Sequence, residues 1–506
     1  MPLIRIYPLL TALLLTSFAT YAQDWNIARF GAKGDGITDN TAFIQQAVDS
    51  CHLHGGKVII PPGRFLSGTI FLKSFVTLHV SAGATLLAHT DLRKYPMLSA
   101  GIPFYGEDWA KQALLFAVNA EQVSLEGTGT IDGQGASFPV TTDKKPDRYK
   151  NRPYLIWMAN CRRISVSGLQ LRNSAFWMQH YLGCEYLRID GLNIWNHSNR
   201  NNDMMDIDGC RYVHISNITG DSDDDGITLK STSPLPTEYV TITNCILSSH
   251  CNALKFGTET TGGFRNITIS NCVIKPSAQL TTIYGKPAGI SGISLEIVDG
   301  GLMQQVNINN IVIDGADVPL FIRLGNRARK HIATAAEPLT GAIQQVQLSN
   351  IQASGAGETG CSIVGIPGAK ATGIALSNIR LSMKGGGTLA DADRIPEEKE
   401  KDYPEATMFG KLPAAGFYIR HAEGLTIDGL SVVTEQPDQR PALFLDDVRD
   451  FRIDGLSAPK AAVRPLIFIK NSLQGVLNNN RTALSAKDFY SVTKDAINIT
   501  YISNRK

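Results

Sequence analysis

A short phrase recurs along this chain at a nearly constant spacing, and that spacing limits the fold more than any other feature of the sequence. The clearest copies occupy residues 164–168, 187–191, 213–217, 240–244 and 267–271, with steps of 23, 26, 27 and 27 residues between their starts. Each copy alternates apolar and polar residues and ends at Asn or Gly, which is typical of a short strand followed by a tight turn. Because such a strand cannot bury its apolar face alone, the copies are expected to stack on one another. The repeat therefore predicts an all-β fold, a single-stranded right-handed parallel β-helix.

Later copies of the phrase are mostly spaced more widely, which indicates inserted loops. They begin at Val306, Val346, Ile374, Leu425 and Phe451, after steps of 39, 40, 28, 51 and 26 residues. Insertions into a solenoid emerge on one side without breaking the stack, and there they form the walls of a groove. We therefore expect one extended domain over residues 23–506. The charged stretch at 391–403 is interpreted as a solvated loop.

Residues 1–22 have the layout of a secretory signal peptide. Arg5 precedes an apolar run at 9–15, and the small-residue segment Ala-Thr-Tyr-Ala follows at 19–22. The apolar run is too short to cross a membrane. The sequence therefore predicts an exported protein, periplasmic or extracellular, with no membrane span.

The segment that follows is expected to close the open end of the solenoid. Apolar residues recur there at helical spacing, behind the capping candidates Thr38 and Asp39: Phe43, Ile44, Ala47, Val48 and Cys51. One amphipathic helix is enough to cover the apolar end of a β-helix. We therefore predict an N-terminal capping helix.

The cysteines follow the repeat rather than a disulfide or metal-binding pattern. Eight cysteines in an exported chain would favour disulfides, but five of them recur in step with the phrase: Cys161, Cys184, Cys210, Cys245 and Cys272. Such positions are expected to stack inside the solenoid, which suits a small free thiol. No CxxC or Cys/His spacing indicates zinc. We predict interior thiols in preference to disulfides, and neither a metal nor an organic cofactor.

The charge balance excludes some partners. The formal net charge is +2 and the sequence pI is about 8.0, with no long basic run, so a nucleic acid partner is not indicated. A mildly basic exported protein can still attract an acidic polysaccharide through local patches. We expect the protein to act as a monomer.

Acidic residues are concentrated on three consecutive coils, at 201–208, 221–230 and 249–257. Equivalent positions on successive coils of a β-helix lie about 4.8 Å apart, so these segments place several carboxylates and a histidine on one small outward patch. Carboxylates that crowd in this way repel one another and raise at least one pKa. A calcium site, or a ladder of Asp and Asn that closes turns, are the structural alternatives. The coincidence of three coils favours a catalytic site.

These segments resemble glycoside hydrolase family 28, the polygalacturonases and their relatives. The family's Asn-x-Asp element matches residues 201–203, its Asp-Asp pair matches 224–226, and its Gly-Ser-Glu element matches 257–259. Its Gly-His-Gly element is matched only by His250, between a serine and a cysteine. The likeness extends from about residue 25 to at least residue 330. It implies a pectin-lyase-like β-helix and an enzyme.

The resemblance also implies roles for individual residues. Family 28 enzymes act with inversion of configuration at the anomeric carbon and use three aspartates. The resemblance makes Asp224 the general acid, and it implies that Asp203 and Asp225 hold and deprotonate the attacking water. His250 would keep the acid protonated or orient the sugar, and Asn201 would contact substrate. An inverting pair must stand roughly 6.5 to 9.5 Å apart to leave room for that water, and adjacent coils allow such a distance.

One departure from the family bears on the substrate. Polygalacturonases hold the galacturonate carboxylate with Arg-x-Lys on a later strand, where this chain has Ser294 and Glu296. A carboxylate facing a uronate would repel it, so either the sugar there is neutral and Glu296 accepts its hydroxyls, or other cations have taken over.

The replacement cations predicted from the sequence are Lys230, Lys255, Arg323 and Arg327. Arg323 is preferred among them because a guanidinium binds a carboxylate in a planar, two-pronged way. Each of them has a plain alternative, a surface cation that supports a neighbouring acid. Trp177, just upstream of the acids, is a candidate for stacking against the sugar.

The sequence thus predicts an inverting glycosidase that cuts an α-linkage in a pectic polysaccharide or oligosaccharide, including rhamnogalacturonan-type substrates and exo action. Two alternatives stay open. One is a polysaccharide lyase on the same fold, with Asp221 and residues 223–225 as its calcium ligands. The other is a non-catalytic carbohydrate-binding solenoid.

Overall fold

Parallel strands stack along the chain in three columns, which we call sheets A, B and C. The computed structural model describes residues 23–458, 465–479 and 489–502. Every pairing between its named strands is parallel. The predicted parallel β-helix is confirmed. The predicted signal peptide, residues 1–22, lies outside the described residues, and the domain bounds stay a prediction.

Sheet A contains the recurring phrase. Its separate strands are Asp24–Asn26, Lys57–Ile60, Thr77–Val80, Glu121–Gly127, Arg162–Ser167, Glu185–Asp190, Arg211–Ser216 and Thr237–Thr243. Sheet C lies beside it, with strands Asp35–Asp39, Gly63–Ser67, Ala84–Ala88, Thr130–Asp132, Gln170–Arg172, Asn193–Asn196, Thr219–Ser222 and Ile246–Ser249. Longer strands then run through both sheets: Phe264–Ile274, Leu302–Asp314, Ala342–Ala356 and Ala371–Gly385.

Sheet B carries the site described below. Its strands are Ile70–Phe71, Ala113–Val118, Tyr154–Ala159, Gln179–Leu182, Met205–Asp208, Ile227–Ser231, Asn252–Thr260, Ser291–Ile297, Val318–Leu324 and Cys361–Val364. The last coils add Phe417–Gln436, Leu443–Asp454, Ile467–Lys470, Leu473–Asn478, Tyr490–Val492 and Ile497–Ile502, of which the first begins in sheet B and continues into sheets A and C.

The phrase folds as its pattern predicts. Val213 pairs with Val240 in register, so equivalent apolar residues form continuous columns in the core. The asparagines that end three copies adopt the left-handed conformation, with φ of 58°, 58° and 57° at Asn217, Asn244 and Asn271. All eight cysteines are buried and free, which confirms the prediction of interior thiols.

The N-terminal capping helix is also confirmed. It spans Thr41–His54 and buries Ile44, Ala47, Val48 and Cys51 against the first coils. Its N-cap residue is Asn40, the position after the predicted candidates Thr38 and Asp39, although Asp39 accepts a hydrogen bond from the first helical N–H. Among the helices that the structure describes, none has both the length and the apolar character needed to span a membrane.

Five insertions emerge beside sheet B and cover its outer face. They occupy residues 89–112, 133–153, 275–290, 325–341 and 386–416, each next to a sheet B strand. Because they meet over the same few strands, side chains that point outward from sheet B become buried there. The insertions therefore turn part of an open face into a pocket.

Candidate active site

The three acidic segments meet in one pocket of about 260 Å³. Residues 201–208 and 221–230 pair on adjacent strands, with Asp208 opposite Lys230, and Thr228 lies opposite Lys255 on the next strand. The solenoid floor of the pocket contributes Trp177, Asn201, Asp203, Asp224, Asp225, Lys230, Cys251, Thr258 and Glu259. The insertions contribute Lys145, Arg148, Tyr149, Tyr284, Gly285, Ile290, Arg329, Tyr403 and Glu405. The acids thus point outward from the solenoid, as predicted, but lie buried beneath loops rather than on an open surface.

Asp224 has the environment of a proton donor. Its Oδ2 accepts a hydrogen bond of 3.4 Å from Asn201 Nδ2, and its Oδ1 accepts the backbone N–H of Asp225 at 3.0 Å. Burial and the charge of Asp225 raise the pKa of Asp224 to about 6, against the opposing effects of Lys255 and Lys230. A carboxyl group with this pKa is protonated in mildly acidic solution, as a general acid must be.

Asp225 is held by two polar neighbours on the next strand. Asn252 Nδ2 donates to Oδ1 at 2.7 Å, and Lys255 Nζ lies 2.9 Å from Oδ2. The Lys255 side chain is buried, and although burial opposes its charge, Asp225 raises the pKa of Lys255. Lys255 therefore supports a neighbouring acid.

Asp203 belongs to a buried cluster of three carboxylates around one ammonium group. Lys230 Nζ lies 3.6 Å from Asp203 Oδ2, 3.5 Å from Asp206 Oδ1 and 3.4 Å from Glu259 Oε2. Burial raises the pKa of Asp206 to about 8, and burial together with the charge of Asp206 raises the pKa of Asp203. Since the two aspartates repel, this pair retains a proton at a pH where an ordinary aspartate is ionised. Lys230 also lies 4.4 Å from the centroid of the Trp177 ring, which lines the pocket as predicted.

His250 does not line the pocket within the part of the chain that the structure describes. Its Nδ1 lies 2.9 Å from Asp223 Oδ1, and its Nε2 lies 2.8 Å from the carbonyl oxygen of Gln279. Asp223 in turn accepts the backbone N–H groups of Ile283 and Tyr284 at 2.8 and 3.0 Å. Both ring nitrogens are thus used to position the 275–290 insertion, which brings Tyr284 to the pocket.

Asp221 fixes the same insertion from a second point. It accepts hydrogen bonds from Ser277 Oγ at 2.7 Å and from the Ala278 N–H at 2.9 Å, and His197 Nε2 lies 2.8 Å away. Asp221 and Asp223 therefore face a loop, whereas Asp224 and Asp225 face the pocket. This division separates the four carboxylates that the lyase interpretation would use together as calcium ligands.

Glu296 and Arg323 point outward from sheet B but lie under an insertion instead of in the pocket. Glu296 is fully buried, accepts a hydrogen bond of 2.6 Å from Ser294 Oγ, and has its pKa raised to about 8 by burial. Arg323 donates to the carbonyl oxygens of Gly365, Glu398 and Lys399 at 3.0, 2.7 and 3.0 Å. The 386–416 insertion covers this coil, so neither side chain reaches the described pocket lining.

Sequence reasoning missed the pocket residues of the insertions. The charged stretch at 391–403 is more than a solvated loop, because Arg323 binds its backbone and its last residue, Tyr403, lines the pocket. The repeat predicts whether each strand side chain points inward or outward, but it predicts nothing about the side chains of an insertion. The sequence signal available was the presence of Lys, Arg and Tyr in insertions next to the acidic coils.

A parallel β-helix with an acid of raised pKa beside a second, paired carboxylate has the parts of a glycoside hydrolase. Comparison of the sequence with known protein families is decisive, because the family model for "Glycosyl hydrolases family 28" matches residues 55–400. The chain belongs to this family, and it is a glycosyl hydrolase.

Individual relatives agree with the family assignment. A "Probable polygalacturonase" of Vitis vinifera is 27% identical over 412 residues, which cover 77% of this chain and 79% of that protein. An "Exo-poly-alpha-D-galacturonosidase" of Dickeya chrysanthemi is 33% identical over 156 residues, or 29% of this chain and 25% of that protein. The crystal structure of an exopolygalacturonase from Thermotoga maritima superimposes with a TM-score of 0.60 at 22% identity, covering 71% of this chain and 87% of that one. The last likeness supports the fold.

Proposed function

We propose that this protein hydrolyses an α-glycosidic linkage in a pectic polysaccharide or oligosaccharide, with inversion at the anomeric carbon. The observation that carries the proposal is Asp224, whose pKa is raised to about 6 in the same pocket as Asp203 and Asp225. The names of the relatives, a polygalacturonase and an exo-galacturonosidase, support a galacturonate-containing substrate.

In this mechanism the protonated carboxyl of Asp224 donates its proton to the glycosidic oxygen as the bond to the anomeric carbon breaks. Asp225, held by Asn252 and Lys255, and Asp203, held by Lys230, orient one water molecule on the opposite face of the sugar. The water oxygen bonds to the anomeric carbon, and its proton passes to one of these two carboxylates. Asn201 keeps Asp224 in position.

We further propose that the enzyme acts on chain ends. Four of the insertions contribute side chains around the acids, so that Tyr149, Tyr284, Arg329 and Tyr403 stand around the pocket. A pocket enclosed in this way suits a terminal sugar, whereas internal cleavage needs a groove open at both ends. Export and a monomeric state stay predictions from the sequence.

Digestion of polygalacturonan and of rhamnogalacturonan oligosaccharides tests this proposal. We expect mono- or disaccharide release from galacturonan at the earliest times, with little fall in viscosity and no absorbance near 235 nm. A rapid fall in viscosity would contradict end action. Absorbance near 235 nm would indicate the unsaturated product of a lyase, and the absence of any cleavage would favour a carbohydrate-binding solenoid.

A further inference from the structure

The cations that the sequence offered for a uronate are already engaged by the protein. Lys230 and Lys255 each bind buried carboxylates, and Arg323 binds backbone carbonyl groups. Arg327 pairs with Asp299, and Arg329 pairs with Glu259 at 2.6 Å. A substrate carboxylate would have to compete with an existing ion pair or hydrogen bond at every one of these sites.

Two other pocket cations, Lys145 and Arg148, are placed differently. Neither forms an ion pair with any carboxylate of the described residues. Lys145 Nζ lies 5.0 Å from the centroid of the Tyr403 ring. The Arg148 guanidinium lies 5.0 Å from the ring of Tyr149 and 5.8 Å from that of Tyr284, and its buried Nε has no hydrogen-bond partner.

The charges around these two residues favour an anion between them. Partial burial and the nearby charge of Arg148 lower the pKa of Lys145 against the opposing effect of Glu259, and the charges of Arg329 and Arg327 act in the same direction as that of Arg148. Aromatic rings flank both cations, and the buried Nε of Arg148 is still without a hydrogen-bond partner. Asp203 and Asp224 line the same pocket and would repel a carboxylate placed beside them.

We propose that Lys145 and Arg148 bind the carboxylate of the galacturonate residue in the pocket. This inference rests on the proposed function. The two residues replace the Arg-x-Lys pair, whose strand here carries Ser294 and Glu296. Because they lie on an insertion instead of on the solenoid, the uronate is held against the pocket wall, while its ring and linkage lie over the acids. Recognition of the carboxylate has thus moved from sheet B to a loop.

The test compares trigalacturonide with its methyl ester, in which the carboxylate charge is absent. In Lys145→Met and in Arg148→Met we expect KM for the acid to rise about 10- to 100-fold, as loss of a charge-assisted hydrogen bond predicts. The methyl ester should be turned over within about threefold of its wild-type rate. Arg148→Lys should recover part of the loss on the acid.

Lys144→Met is the matched control, because Lys144 is exposed in the same insertion and does not line the pocket. It should leave both substrates unaffected. Equal losses on acid and ester, or an unchanged KM for the acid in both methionine variants, would overturn the inference. If the wild-type protein hydrolyses neither substrate, the proposed function itself has failed. Thermal unfolding of each variant identifies any variant that has lost its fold. If a methionine variant does not fold, the ratio of KM for the acid and the ester in Arg148→Lys decides the question.

Discussion

The Asp224→Asn variant is expected to lose turnover by a factor of about 100 to 10,000, the contribution typical of a positioned general acid. Asparagine keeps the size of the side chain and can accept one of its two hydrogen bonds, from Asn201 or from the Asp225 N–H, but it has no acidic proton to give to the leaving oxygen. The measurement is kcat on trigalacturonide in mildly acidic buffer. Retention of more than about a tenth of the activity would be incompatible with this role. Asp190→Asn, on sheet A, is a control that should keep full activity.

The raised pKa of Asp224 also predicts how the free energy of unfolding of wild type and of Asp224→Asn depends on pH. The folded protein raises the pKa of Asp224 from 3.8 to about 6, so it favours the protonated form. The wild-type protein therefore keeps this contribution to stability below about pH 4 and loses it as the pH rises through 6. Asp224→Asn should match wild type in urea unfolding at pH 4 and be more stable at pH 8, by at most about 3 kcal/mol. A less stable variant at pH 8 would contradict this assignment of the pKa.

The Lys230→Met variant is expected to lower the free energy of unfolding by about 3 to 5 kcal/mol and to abolish activity. Lys230 is the shared cation of Asp203, Asp206 and Glu259, and all four side chains are buried. Without the ammonium group, these carboxyl groups stay buried in a low-dielectric environment, and their negative charge is no longer balanced by Lys230. Urea unfolding at neutral pH measures the loss.

Two further variants separate this explanation from a general loss of packing. The double variant Lys230→Met/Glu259→Gln removes the carboxylate of the cluster whose pKa Lys230 keeps low, and which therefore stays ionised, so it should recover part of the lost stability. Lys57→Met removes an exposed lysine that pairs with Glu126, and it should cost no more than about 1 kcal/mol. A loss below about 1 kcal/mol in Lys230→Met, or no recovery in the double variant, would show that the cluster is not what stabilises this region.

The repeat made the fold and the meeting of the acids predictable, because a solenoid turns spacing in sequence into distance in space. Asp203, Asp224 and Asp225 are separated by one coil at most, and the structure brings them to one pocket. Lys230 and Lys255 lie on neighbouring sheet B strands, opposite Asp208 and Thr228, so the same register brings them to this face. Even the outward phase of Glu296 and Arg323 was predictable from strand alternation.

What covers those outward side chains was not predictable. The 386–416 insertion folds over Glu296 and Arg323, and nothing in a periodic pattern indicates where a long loop returns. His250 shows a related limit, because the resemblance predicted that it keeps the acid protonated or orients the sugar, whereas its ring nitrogens contact Asp223 and a loop carbonyl. Lys145 and Arg148 lie in an insertion with no register at all.

The central claim, hydrolysis of an α-linked uronide with inversion, is tested most directly by following the first turnovers on trigalacturonide by proton NMR. The account predicts that the new reducing end appears first as the β-anomer and then equilibrates slowly to the α-form. A product that appears first as the α-anomer, or one that carries the vinylic proton of an unsaturated uronide, would contradict it.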